Sequence, residues 1–92
     1  MTEEEARKIV EARLEQMCSA DRDLDLIISG MEPVKSGWVF FYADRRFIET
    51  GDFMYAIGGN APYFITHTGE IHNLPTWTSW EDGLKLIGHS RV

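Results

Sequence analysis

The stretch that decides the fold is Glu49–Pro75, ETGDFMYAIGGNAPYFITHTGEIHNLP. Glycine, asparagine and proline interrupt it at positions where the chain must turn. Between these residues, Ala61–Thr66 and Glu70–Leu74 predict two strands, joined by a tight turn in which Gly69 supplies a positive φ. Pro75 ends the second strand because it has no N–H to donate to the ladder. The stretch therefore predicts an antiparallel hairpin and offers little chemistry.

The N-terminal residues predict a long amphipathic helix. Thr2 and Glu5 have the spacing of a capping box, and the acidic first turn favours a helix N-terminus. Apolar residues then recur every three or four positions, which places them on one face: Ala6, Ile9, Val10, Leu14 and Met17. We expect the helix over Thr2–Cys18, with this face toward the core.

Two further strands are predicted between this helix and the hairpin. Leu24–Met31 is the first, and Pro33 shortens it or places it near a sheet edge. A turn at Lys35–Gly37 leads to Trp38–Tyr42, which is apolar on both faces. Such a strand belongs in the middle of a sheet, with a helix or loop covering each side.

The segment Asp44–Gly59 is the longest irregular part of the chain. We expect a short strand at Arg46–Ile48 within it and a helical turn at Phe53–Ile57. Its residues otherwise have the composition of an exposed loop.

A short helix is predicted near the C-terminus. Ser79 and Asp82 form a weaker capping signal, and Gly88 closes the segment. The apolar positions between them have helical spacing: Trp80, Leu84 and Ile87. The predicted fold class is therefore α+β: an antiparallel sheet of three to five strands packed against the long N-terminal helix, with a short C-terminal helix.

Size and charge limit what the protein can do. Its 92 residues predict a single domain over 1–92 with one modest core. A net charge of −6 disfavours nucleic acid as a ligand, because phosphate binding needs clustered Lys and Arg. Cys18 is the only cysteine, so no intramolecular disulfide forms. The sequence shows neither an apolar signal-peptide core nor a membrane-spanning run, so we expect a cytoplasmic protein without membrane contact.

No group of residues predicts catalysis, a metal site or a cofactor. His67 and His72 flank the hairpin turn, with Glu70 between them, but strand alternation sends neighbouring side chains to opposite faces. Ordinary strand positions are therefore favoured over a metal site, which would need a further ligand. Cys18 ends the apolar stripe of the helix, where a small apolar residue fits better than a nucleophile. We predict a protein that is not an enzyme.

The remaining candidates are residues that could contact a partner. Glu49 and Asp52 are carboxylates in a predicted exposed loop, where Asp52 also fits as a cap for the following turn. Trp77 follows a proline in a loop, a place where an aromatic residue serves either as an interface anchor or as core packing. We predict partner binding through these three residues together with Phe53 and Tyr55.

Short motifs in the second half resemble those of a known family. The motifs are Gly37-Trp38, Glu49-Thr50-Gly51-Asp52, Gly59-Asn60-Ala61-Pro62, Gly69-Glu70-Ile71-His72 and Leu74. They are similar to the YrhB-like family of bacterial immunity proteins. The resemblance spans Gly37 to Thr76, and the first 30 residues share only helical character.

This resemblance implies a small α+β protein of polymorphic toxin systems, encoded beside a toxin. The implied function is binding and neutralisation of that cognate toxin by occluding its active site, in the cytoplasm and without catalysis. The alternative is a chaperone-like or adaptor domain that binds unfolded or apolar segments through Phe53, Met54, Tyr55 and Trp77. We expect a monomer or a weak homodimer in either case.

Overall fold

The structure is a computed structural model, and it describes residues 1–20, 25–51, 62–75 and 78–89. Its elements are α1 (Glu3–Ala20), β1 (Leu26–Val34), β2 (Gly37–Asp44), α2 (Arg45–Thr50), β3 (Tyr63–Thr66), β4 (Ile71–Asn73) and α3 (Trp80–Leu86). The strands form one antiparallel sheet in the order β1-β2-β3-β4. The predicted α+β class, with its long first helix and short last helix, is confirmed.

Helix α1 begins with the predicted capping box. The Thr2 hydroxyl accepts a hydrogen bond from the Glu5 N–H at 3.2 Å, and the Thr2 N–H donates to the Glu5 carboxylate at 3.1 Å. The latter bond is the main cause that lowers the pKa of Glu5. The helix ends at Ala20, slightly beyond the predicted Cys18, and buries three positions of the predicted stripe: Ala6, Val10 and Leu14. Neither α1 nor another helix in the described ranges is long and apolar enough to cross a membrane.

The sheet buries a core on each of its faces because β2 is apolar on both. Trp38 and Phe40 face α1, where they form the larger cluster. Val39 faces the other way and packs with Phe64 of β3 and Leu84 of α3. The predicted central position of this strand, covered on both sides, is confirmed.

Strand β1 lies at one edge of the sheet. It continues to Val34, beyond the predicted Met31, and its pairing with β2 shifts at a bulge between Ile28 and Gly30. Pro33 lies within the strand, so the expectation that it marks an edge is confirmed. An edge tolerates proline because one side of the strand has no ladder to donate to.

The hairpin of β3 and β4 has the predicted turn. Gly69 has a φ of 94°, and its N–H donates to the Thr66 carbonyl at 3.0 Å. The Glu70 N–H donates to the Thr66 hydroxyl at 3.0 Å, which closes the turn a second time. The strands are shorter than predicted, since β3 starts at Tyr63 and β4 covers only Ile71–Asn73.

Helix α3 starts at the predicted cap. The Ser79 hydroxyl accepts a hydrogen bond from the Asp82 N–H at 3.3 Å, and Gly88 follows the helix with a φ of 85°. Leu84 is fully buried, as its place in the predicted stripe requires. Ile87, the last apolar position of the predicted helical spacing, lies just past the last helical residue and is 37% exposed.

The prediction of a strand at Arg46–Ile48 is wrong. These residues lie in α2, a six-residue helix that Asp44 caps at its start and Gly51 caps at its end. Two capping residues at this spacing favour helix over the local β propensity of Phe47 and Ile48. The predicted helical turn at Phe53–Ile57 lies outside the described residues.

Candidate functional site

Of the predicted contact residues, Glu49 lies in the part of the chain that the structure describes. It is exposed, but on helix α2, so its predicted position in a loop is wrong. The other predicted contact residues, and Met54 of the predicted apolar patch, lie outside the described residues: Asp52, Phe53, Tyr55 and Trp77. The described candidate site therefore starts from α2 and from what holds it.

Asp44 fixes α2 to the sheet. This residue is 2% exposed, and its carboxylate accepts hydrogen bonds from the Arg46 N–H at 2.9 Å, Nε at 3.0 Å and Nη2 at 2.7 Å. The Asp25 N–H donates a further bond at 3.3 Å. The Arg46 side chain is the main cause that holds the pKa of Asp44 far below its usual range, against the opposing effect of burial. Asp44 thus stays charged and joins the start of β1, the end of β2 and α2.

Arg45 forms a second link between α2 and β1. Its Nε and Nη2 donate to Asp25 Oδ2 at 3.0 and 2.7 Å, and its backbone N–H donates to the Asp25 carbonyl at 2.7 Å. The hydrogen bond to Asp25 is the main cause that raises the pKa of Arg45. The two side chains are 55% and 38% exposed, so solvent screens the pair and its contribution is orientation more than stability.

Helix α2 presents an acidic and an apolar side chain to solvent. Ile48 is 48% exposed and Glu49 is exposed beside it. Gly51, with a φ of 69°, ends the helix by donating its N–H to the Phe47 carbonyl at 2.7 Å. A short helix held at its base by two ion pairs therefore offers a fixed surface suited to a protein contact.

Sequence reasoning missed both links to α2. The available signal was Asp44 followed by Gly51, which have the character and spacing of the two caps of a short helix. The cap predicted in this segment is Asp52, for the turn that follows at Phe53. The contact between Asp25 and Arg45 depends on the register of β1 against β2, and no local sequence pattern shows this register.

A groove of about 480 Å³ lies between α1 and the edge strand β1. Its α1 rim carries Arg7, Glu11 and Glu15 at helical spacing. Its other lining residues are apolar: Leu14, Cys18, Leu26, Ile27 and Ile28. The groove therefore combines a mainly acidic rim with an apolar floor, directly beside a sheet edge.

The histidines flanking the hairpin turn have separate structural surroundings. His72 Nε2 lies 3.4 Å from Glu70 Oε2, and the His72 ring stacks on Phe64 with 6.0 Å between ring centroids. His67 packs edge-on against Trp38 at 4.7 Å. Within the described ranges, no group of three or more His, Cys, Asp or Glu side chains is arranged to hold a metal ion.

Cys18 belongs to the floor of the groove. It is half-buried, and its Sγ accepts a hydrogen bond from the Leu26 N–H at 3.4 Å. It also packs against the cluster between α1 and the sheet, as expected for a small apolar residue at the end of the stripe.

Comparisons with known proteins identify the family. The family model described as immunity protein 35 matches residues 4–84. The chain is also 39% identical over 66 residues to the "Uncharacterized protein YrhB" of Escherichia coli (strain K12), which covers 71% of this chain and 70% of that relative. No solved structure matches it significantly. The chain therefore belongs to the immunity protein 35 family, and the resemblance to YrhB-like immunity proteins is confirmed.

Proposed function

We propose that this immunity protein 35 family member binds a cognate bacterial toxin and neutralises it by occluding the toxin's active site, without catalysis of its own. The observation that carries the proposal is the family match, which runs from α1 into α3. Because the match covers nearly all of the described fold, the proposed function belongs to the whole domain and not to one motif.

The charge of the protein suits a basic toxin surface. The chain carries a net charge of −6, and acidic residues crowd its first helix. Complementary charge steers two proteins together and favours the right partner over others. A toxin that acts on nucleic acid needs a basic cleft, and such a cleft is a surface that an acidic protein can cover.

The anchoring of α2 supports a contact at Glu49. Asp44 and Asp25 hold the two arginines at the start of this helix, so the backbone that carries the exposed Glu49 is positioned before any partner arrives. A preorganised contact loses less conformational entropy on binding than a mobile one. We include Asp52, Phe53, Tyr55 and Trp77 in the proposed contact surface.

The proposed setting is the cytoplasm, with the toxin encoded by an adjacent gene and the immunity protein acting as a monomer or a weak homodimer. Neutralisation by binding requires at least one immunity protein per toxin. Protection that persists when the immunity protein is far below the toxin in amount would contradict a mechanism without catalysis.

Co-expression with the product of the adjacent gene tests the proposal. We expect the wild-type chain to restore growth of cells that express this product, and to co-purify with its active-site-inactive form in a 1:1 complex. Glu49→Lys is expected to reduce protection, and Glu70→Lys, an equal charge change at an exposed position just before β4, is the matched control. A wild-type chain that neither protects nor binds would refute the proposed function.

A further inference from the structure

We propose that the toxin adds an extended strand with basic side chains to the edge of β1 that pairs with no other described strand, beside the groove under α1. This inference rests on the proposed function and deepens it, because it names the contact face and the kind of segment that the face accepts. It depends on the groove and on β1, both within the described residues.

Within the described residues, one half of the β1 edge carries features that block strand addition and the other half carries none. Pro33 lacks an N–H, and the bulge between Ile28 and Gly30 breaks the regular spacing of edge groups. Proline and bulges are the usual means by which proteins block an open sheet edge. The segment Leu26–Ile28, before the bulge, carries neither, and it is the segment that lines the groove.

Backbone directions show which groups this segment offers. Asp25 faces β2, because its carbonyl accepts the Arg45 N–H at 2.7 Å. Since directions alternate along an antiparallel strand, Leu26 and Ile28 point their N–H and C=O groups away from β2. The Leu26 N–H does point outward, and it donates to Cys18 Sγ at 3.4 Å. Among the residues that the structure describes, the outward C=O of Leu26 and the outward N–H and C=O of Ile28 are therefore the groups that an incoming strand can pair with.

The rim of the groove selects basic side chains. Glu11 and Glu15 lie one helical turn apart on α1 and both line the groove. Arg7, the third rim residue, has its guanidinium over the Phe40 ring at 5.7 Å from the centroid, where it faces an aromatic surface of the protein itself. A Lys or Arg from a strand beside Ile28 can lay its methylene groups on the apolar floor and place its charge at the two glutamates.

The opposite face of the sheet selects apolar side chains from the same strand. Ile27 is among the residues that line the groove, but strand alternation places its side chain on the face opposite Leu26 and Ile28, which pack toward α1, and it is 36% exposed. Every second residue of an added strand lies beside Ile27 on this face. Apolar residues are favoured at these positions because they bury the Ile27 side chain. The segment that fits the edge therefore alternates basic and apolar residues over a few positions.

A second copy of this chain fits the edge poorly. Antiparallel pairing of two β1 edges about a two-fold axis normal to the sheet puts both α1 helices on one face. The two acidic rims, Glu11 and Glu15 from each copy, would then face each other, and like charges brought together repel. Charge complementarity favours a basic partner over self-association.

Hydrogen exchange of backbone amides tests the strand addition directly. The probe is the inactive form of the adjacent gene's product, and the immunity protein is the intact wild-type chain. We expect the Ile28 amide to exchange at least about tenfold more slowly in the complex, because a ladder hydrogen bond then protects it. The amide of Asp25, on the opposite side of the same strand, faces Asp44 already and serves as the internal reference.

Charge variants test the choice of partner. Glu11→Lys with Glu15→Lys is expected to raise the Kd by about 30-fold, since two attractive contacts become repulsive. Glu70→Lys with Glu81→Lys makes the same total charge change away from both the groove and β1, and we expect less than about a threefold effect. The Kd of Ile28→Pro is compared with that of Ile28→Ala. Both variants lose the isoleucine side chain, and only proline also lacks the backbone N–H.

The possible outcomes distinguish a failure of the proposed function from a failure of this inference. If the wild-type chain forms no complex with the probe, both the proposed function and this inference are refuted. A tight complex in which Ile28 stays unprotected and the groove variants bind like the control refutes the inference alone. A homodimer of the free protein that Ile28→Pro dissociates assigns the edge to a second copy and also overturns the inference.

Discussion

Gly37 of β2 leaves no room for a side chain against the backbone of β3, and replacing it with alanine tests how far the sheet depends on that close approach. A Cβ built at Gly37 lies 1.9 Å from the Ile65 carbonyl oxygen and 2.9 Å from the Thr66 Cα. Both are backbone atoms of β3, so no side-chain rotation relieves the overlap. The two strands must therefore separate locally in a Gly37→Ala variant.

The cost follows from the size of that separation. Carbon and carbonyl oxygen approach no closer than about 3.3 Å in ordinary contacts, so the strands must move apart by about 1.4 Å. This distance breaks hydrogen bonds at the end of the ladder, where Gly37 pairs with Thr66 and the His67 N–H donates to the Ser36 carbonyl at 3.0 Å. Two such bonds at about 1 kcal/mol each, with about 1–3 kcal/mol for overpacking, give about 3–5 kcal/mol. A domain of this length has a total stability of roughly 5–14 kcal/mol.

Urea unfolding followed by tryptophan fluorescence measures this change. Gly30→Ala is the matched control, since a Cβ there meets only the Phe41 ring at 3.8 Å, an ordinary contact. We expect Gly30→Ala to leave the free energy of unfolding within about 1 kcal/mol of wild type. Equal stabilities of Gly37→Ala and Gly30→Ala would refute the reasoning, because the first variant would then have relieved the overlap without separating the strands.

Three further changes test individual contacts. The pKa of Asp44 is lower in the folded than in the unfolded protein, so this carboxylate adds stability above about pH 4, and that stability is lost as the pH falls below this value. Asp44→Asn is therefore expected to flatten this part of the curve of urea midpoint against pH. Ser79→Ala removes the cap of α3 and is expected to cost about 1 kcal/mol in the free energy of unfolding, with Ser79→Asp restoring it. Phe64→Ala is expected to cost about 3–5 kcal/mol, measured by thermal unfolding, because the ring is fully buried on the α3 face; Phe64→Leu, which keeps most of the apolar volume, is expected to cost less.

The elements that were predicted correctly carry their signals within a few residues. The Thr2–Glu5 capping box, the Gly69 turn and the Ser79 cap each depend on hydrogen bonds between near neighbours in sequence. The central place of β2 follows from its composition alone, because a strand apolar on both faces must be covered on both. These parts of the fold are therefore readable from the sequence without knowing the register.

The parts that were missed depend on residues distant in sequence or on competition between weak signals. Arg46–Ile48 has strand-like residues at Phe47 and Ile48, but the neighbouring Asp44 carboxylate caps a helix there and is itself held by the Asp25 N–H across the sheet. The groove forms only when α1 and β1 pack side by side, so no pattern within either element predicts it. Contact residues are harder still to predict, because a surface that binds a partner needs no periodicity of its own.

Asp44 connects the two contact surfaces proposed for this protein. Its hydrogen bond from the Asp25 N–H holds the chain just before the free edge of β1, and its bonds from Arg46 hold the helix that carries Glu49. One buried carboxylate thus orients an edge for backbone pairing on one side and an exposed acid on the other. Because the backbone of both proposed surfaces is held before binding, we expect a toxin to meet them with little ordering cost, so that complementary charge acts mainly on the rate of encounter.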